Sequence, residues 1–159
     1  MNYETEQAVW RRVRGPGEEL SAGKALLPER LEALLLEEQA TEAQLRALAR
    51  RTGGNRSRVL QRLANRTGKR IGELSALHFL LTGRRLRLKP PAFPGKVTFP
   101  DSLRAVWLRQ QQSARAYDSL AKEFREEAQE LETWSSGIRA DNRQLASLLQ
   151  GRMSGETDL

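Results

Sequence analysis

The sequence predicts an all-α protein: a four-helix bundle built from two antiparallel hairpins joined by a long crossover. Three observations carry this. Apolar residues recur at the helical period through four segments, 29–53, 55–82, 101–125 and 127–150. Gly and Pro punctuate the gaps, with Gly53-Gly54, Gly83 and the run Pro90, Pro91, Pro94 and Pro100. Two of the connections are short, whereas 83–100 is an extended, proline-rich stretch. At about 3.3 Å per residue it can span most of a bundle's length, so the second and third helices should run parallel.

Each element has a local reason. Residues 1–28 read as an N-terminal arm, in which Tyr3–Arg14 has the pattern of a short helix stopped by Gly15-Pro16-Gly17. Trp10 and Val13 on that helix are expected to dock the arm on the body. Pro28 or Glu29 opens the first bundle helix, glutamates fill its first turns where the macrodipole favours them, and Gly53-Gly54 closes it. The second helix ends at Gly83, and Asp101 or Ser102 caps the third. The bundle spans 29–151, and 152–159 is a polar tail. Residues 36–49 align with 108–121, 72 positions on, so the first hairpin reads as a diverged copy of the second.

Composition removes several chemistries. The chain has 159 residues, 27 Lys+Arg against 20 Asp+Glu, no Cys and one His. Thiolate metal sites, disulfides and cysteine nucleophiles are excluded, as is any site needing two imidazoles. No phosphate-binding Gly-rich loop occurs in a strand–loop–helix context, and a hydrolase triad has no candidate. Adjacent pairs such as Glu37/Glu38 and Glu126/Glu127 point apart on a helix and do not form an acid–base couple. Gly68 and Gly72 give a smooth patch for close helix approach. With no signal-peptide pattern and no membrane-spanning stretch, the expectation is a cytoplasmic protein.

Four inward stripes follow from the 3.6-residue period. They read Leu31, Leu34/Leu35, Glu38, Leu45, Leu48; then Leu60, Leu63, Thr67, Arg70/Ile71, Leu74, Leu77, Leu81. The third is Leu103, Val106/Trp107, Gln110, Ala114, Tyr117, Leu120, Phe124, and the fourth Leu131, Trp134, Ile138, Asp141, Leu145, Leu148. Each is interrupted near its middle: by Glu38, by Thr67 with Arg70, by Gln110, and by Asp141 with Gln144. Interruptions at one depth predict a polar layer across the interior, which must satisfy itself. Arg70 is expected to bond Glu38, Asp141 or both. His78 lies two turns beyond Arg70 and reads as a packed or rim residue.

Over residues 29–150 the chain resembles the rubrerythrin-type branch of the ferritin-like family. The resemblance rests on Glu38 with Leu45-Arg46-Ala47-Leu48-Ala49, on His78-Phe79-Leu80-Leu81-Thr82-Gly83, and on Tyr117 seven residues after Gln110. It implies a ferritin-like bundle and two metal ions held by a Glu from each of two helices and a Glu-x-x-His from each of the others. Carried over, Glu38 keeps its acid, Thr67 and Arg70 stand for Glu and His, Gln110 for Glu, and Asp141 and Gln144 for Glu and His. Should the alignment shift by a turn, Glu37, Glu42 or Glu73 would supply a carboxylate, but no shift places a His on the fourth helix. The resemblance therefore implies a scaffold with a degenerate metal site.

Three functions follow as expectations. The first is a non-catalytic bundle that holds no cofactor and acts on a protein partner or as a homodimer. The second is a di-metal oxidoreductase or peroxidase with two iron or manganese ions and an aberrant ligand set. The third is a binder of nucleic acid or another anionic surface through basic residues 46–89, which hold 13 Lys/Arg against Glu73 alone. Arg84, Arg85, Arg87 and Lys89 form the sharpest candidate anion-binding cluster.

Overall fold

The computed structural model describes residues 18–89 and 97–151. They form four helices, α1 (Glu18–Arg50), α2 (Gly54–Thr82), α3 (Phe99–Glu123) and α4 (Ala128–Leu149), with a 3-10 turn at Arg125–Glu127 before α4. No strand occurs among the described residues, and no described helix is long and apolar enough to cross a membrane.

The first helix departs from expectation. It begins at Glu18, not at Pro28 or Glu29, and carries Pro28 inside it. A proline there removes one backbone hydrogen bond and costs about 3 kcal/mol. Leu27 and Leu31 on either side of it are fully buried, and each such side chain returns roughly 1.5–3 kcal/mol, so the helix runs on through the proline. It also stops at Arg50, short of Gly53. At the start of α3 the cap is Thr98, whose hydroxyl accepts from the Asp101 N–H, rather than Asp101 or Ser102. The expected docking of Trp10 and Val13, the tail 152–159 and the three prolines at 90–94 lie outside the described residues.

Side-chain pairs fix the helix directions. Between α1 and α2, Glu32 meets His78, Glu38 meets Arg70 and Arg46 meets Asn65. Between α1 and α3, Arg30 meets Glu123, Glu38 meets Tyr117 and Gln44 meets Arg109. Arg66 with Asp141 and Glu73 with Trp134 join α2 to α4. Gln110 with Asn142, and Ser135 with the Ala114 carbonyl, join α3 to α4. Numbers rise on one helix as they fall on its neighbour in every case. All four packed pairs are antiparallel, so α2 and α3 are parallel and the chain between Thr82 and Phe99 must return along the bundle. For α2, with 29 residues, that length is about 43 Å.

The apolar core is in two pieces. One gathers Leu31, Leu35, Leu74, Leu120, Leu131 and Ile138; the other gathers Leu45, Leu60, Leu63, Val106, Leu145 and Leu148. Most of the expected stripe positions fall in one or the other. Leu81 does not: it is exposed, and His78 takes the inward position in its turn. Gly83 ends α2 in the left-handed conformation (φ 71°), its N–H bonded to the Phe79 carbonyl at 2.7 Å.

Gly68 and Gly72 of α2 differ in what faces them. A Cβ on Gly68 would lie 2.7 Å from Glu42 Oε2, whereas one on Gly72 would meet nothing within 4 Å. Gly72→Ala should therefore stabilise the protein by roughly 0.5–1 kcal/mol through helix propensity alone. Gly68→Ala should gain less, because Glu42 must shift and its 2.9 Å bond to Arg46 is disturbed. Paired urea denaturation curves measure the difference.

Candidate functional site

The predicted polar layer exists, and it is what separates the two apolar pieces. Arg70 projects inward from the middle of α2 and is only 5% exposed. Its Nε donates to Glu38 Oε2 on α1 at 2.7 Å, and its Nη1 lies 3.6 Å from Asp141 Oδ2 on α4. Glu38 and Asp141 are 2% and 1% exposed. Three charged groups from three helices thus meet in a site nearly closed to water. Both expected partners of Arg70 are present, the Glu38 contact as a close charge-assisted hydrogen bond and the Asp141 contact as a longer ion pair.

Further partners complete the cluster. Tyr117 on α3 donates its hydroxyl to the same Glu38 Oε2 at 2.8 Å. Arg66, one turn before Arg70, donates Nε to Asp141 Oδ1 at 2.6 Å while much of its side chain stays in solvent. Thr67 bonds back to the Leu63 carbonyl at 2.9 Å, and its oxygen lies 3.5 Å from Arg70 Nη2. Glu38 and Asp141 together balance Arg66 and Arg70, which is how the layer tolerates its burial.

The electrostatics follow from this enclosure. For Arg70, burial disfavours the charged form, but the charge of Glu38, its hydrogen bond and the charge of Asp141 outweigh that, and the pKa is raised. For Tyr117, burial comes first. The neighbouring Glu38 charge and hydrogen bond push in the same direction, Arg70 offsets them only in part, and the phenol is held well above its usual 10.0. Tyr117 is a neutral donor here, its ring 5.8 Å from that of Trp134.

The second hairpin contributes an uncharged counterpart. Gln110 Nε2 donates to Asn142 Oδ1 at 2.8 Å, and Asn142 Nδ2 donates to the Trp107 carbonyl at 3.0 Å. Glu38–Arg70 and Gln110–Asn142 each join residues 32 apart, and the second pair sits 72 positions after the first. Asn142, not Gln144, is therefore the bonded residue on α4. Gln144 is half-buried with its Oε1 unpartnered, two residues nearer the end of the helix. The 72-residue offset, applied to Arg70, would have found Asn142 from the sequence.

The other candidates fall outside the layer. His78 is buried, its Nε2 3.0 Å from Glu32 Oε2. Glu37 faces Arg109, Glu42 bonds Arg46, and Glu73 accepts from the Trp134 indole. Arg84, Arg85, Arg87 and Lys89 are exposed on the segment after α2, which turns back along that helix, so that Arg85 and Leu86 line a pocket with Gly72, Ser75, Ala76 and Phe79.

Two hard divalent ions need several carboxylates and imidazoles around them. The donors brought together here are two carboxylates, two neutral amides and the hydroxyls of Tyr117 and Thr67, with a guanidinium lying between the carboxylates. Among the described residues no three His, Cys, Asp or Glu side chains gather closely enough to hold a metal ion. The residues present do not fit a di-metal centre.

Removing the central cation should be costly, since two buried carboxylates lose their partner. Arg70→Ala is expected to destabilise the fold by about 3–5 kcal/mol in chemical denaturation. Arg70→Met with Glu38→Leu should recover part of that, and adding Tyr117→Phe should recover more, because the double change alone strands the Tyr117 hydroxyl. The phenol gives a second readout. Its pKa is raised on folding, so its contribution to stability is complete below the unfolded value near 10.0 and is lost as pH climbs above it. A spectrophotometric titration should show Tyr117 ionising only with alkaline unfolding.

No family model, curated protein or solved structure matches this chain.

Proposed function

We propose that this protein is a ferritin-like bundle of the rubrerythrin type whose di-metal centre has been replaced by a fixed protein cation, and that it acts without catalysis, through its surface. The observation that carries the reading is Arg70, 2.7 Å from Glu38 and 3.6 Å from Asp141 at the depth where the resemblance calls for metal. A guanidinium in that position offsets the carboxylate charge that metal ions would otherwise neutralise, and it repels any cation approaching them. The antiparallel hairpins and parallel α2 and α3 support the same family reading. Both carboxylates of the buried layer are held by guanidinium groups, which leaves the exposed surface as the working part, toward a protein partner or a second copy. Phe79 and Leu80, exposed near the end of α2, suit such a contact.

The competing reading, a di-metal oxidoreductase or peroxidase, is decided by metal content. Protein purified from cells replete in iron and manganese is expected to carry less than stoichiometric amounts of either and to leave peroxide unconsumed. Two tightly held ions per chain, lost on Glu38→Ala, would overturn the proposal.

A further inference from the structure

The positive charge of this molecule is concentrated at one end. Residues 43–69 hold eight Arg/Lys and no Asp or Glu, against a net charge of +7 for the whole chain. These residues are the last eight of α1, the turn after it, and the first half of α2. Packing fixes part of the cluster: Arg51 donates to the Val97 carbonyl at 3.0 Å, and Arg51 and Arg56 lie 5.9 and 4.8 Å from the Phe99 ring centre. On α2 itself, Arg58, Arg62, Arg66 and Lys69 follow at intervals of four, four and three, which places them on one face of the helix. Arg58, Arg62 and Lys69 are exposed along about 16 Å of that face.

The neighbourhood of this row separates the possible partners. Docking on a bilayer or on another protein draws on an apolar anchor. Among the described residues no large exposed hydrophobic side chain lies between Arg50 and Lys69; Phe79, Leu80 and Leu81 come ten residues later, toward the opposite end of α2. What the row does offer is charge, mostly as guanidinium, with Gln61 and Asn65 exposed beside it. Seven of the eight cations are Arg, the side chain whose fork matches a phosphate oxygen pair.

We infer that the Arg58–Arg62–Lys69 face of α2 binds the phosphodiester backbone of nucleic acid, without reading its sequence. This builds on the reading that the protein acts through its surface. It assigns nucleic acid to residues 46–69 and not to the Arg84–Lys89 cluster. Affinity comes from counterion release as the rigid row neutralises successive phosphates, so it must fall steeply with salt.

The test uses the full chain and fluorescence anisotropy, with a labelled mixed-sequence DNA duplex and a labelled single-stranded RNA. Expected is binding to duplexes of unrelated sequence with equal affinity, and a log–log salt slope of about −3 from three to four neutralised phosphates. Arg58→Glu/Arg62→Glu/Lys69→Glu should weaken binding about 100-fold at low salt. These side chains are exposed, and unchanged helical circular dichroism shows that the variant is folded. Arg84→Glu/Arg85→Glu/Arg87→Glu should bind as the parent does, and vesicles of phosphatidylserine and phosphatidylcholine should not retain the protein. No binding at low salt, no salt slope, or equal loss in both triple variants overturns the inference, as does retention by vesicles that only the first variant loses. Metal analysis of the same preparation keeps the two readings apart: stoichiometric metal sinks the degenerate centre and leaves nucleic-acid binding standing, and metal-free protein that ignores nucleic acid does the reverse.

Discussion

A guanidinium in the middle of a helical bundle commits every helix around it. Arg70 needs Glu38 from α1 and Asp141 from α4, while Glu38 also takes the hydroxyl of Tyr117 from α3. A slip of α2 by one turn relative to α1 or α4 would carry the cation into an apolar layer and strand the carboxylates. Leucine stripes alone tolerate such slips, because one leucine layer packs much like the next. The buried charges therefore act as a register key for the packing, whatever their net contribution to stability.

The layer has a cost that its geometry keeps small. Two carboxylates in an interior would be prohibitive singly, yet here each has a guanidinium beside it, and Arg66 brings the Asp141 side into contact with solvent. The α3–α4 hairpin performs the equivalent structural task with two amides, Gln110 and Asn142, at no charge. The pair that joins α1 to α2 is ionic and the pair that joins α3 to α4 is neutral, although the residues stand at matching positions. That asymmetry is the main departure from the internal repeat.

Much of this was legible in the sequence. Helical periodicity, the glycines at the ends of α2 and the length of the crossover give the element order and directions. The interruption of four stripes at one depth gives the polar layer, and the charge inventory within it gives the partners of Arg70. What was not legible came from energies that compete over distance. Pro28 looks like a helix start because the local penalty is visible and the tertiary burial of Leu27 and Leu31 is not. Leu81 looks like core, because the period alone does not say that His78, read as packed or rim, takes the inward position and finds Glu32 on the neighbouring helix. Gln144 matched the spacing of a family motif, whereas the bond is made by Asn142, two residues earlier, on the side of α4 that faces α3.

The unequal chemistry of the two hairpins also limits how this chain can associate. Proteins built from near-duplicate halves run the risk that like halves pair, two first hairpins or two second hairpins closing on each other across molecules. Two copies of the first hairpin would bring together paired Arg66 and Arg70 cations without Asp141, and two copies of the second would leave a pair of Asp141 carboxylates without a guanidinium. Each hairpin is completed only by its opposite. Exchange of whole hairpins between chains through the long crossover preserves that complement, so an interlocked dimer is the one misassembly that the buried charges do not reject.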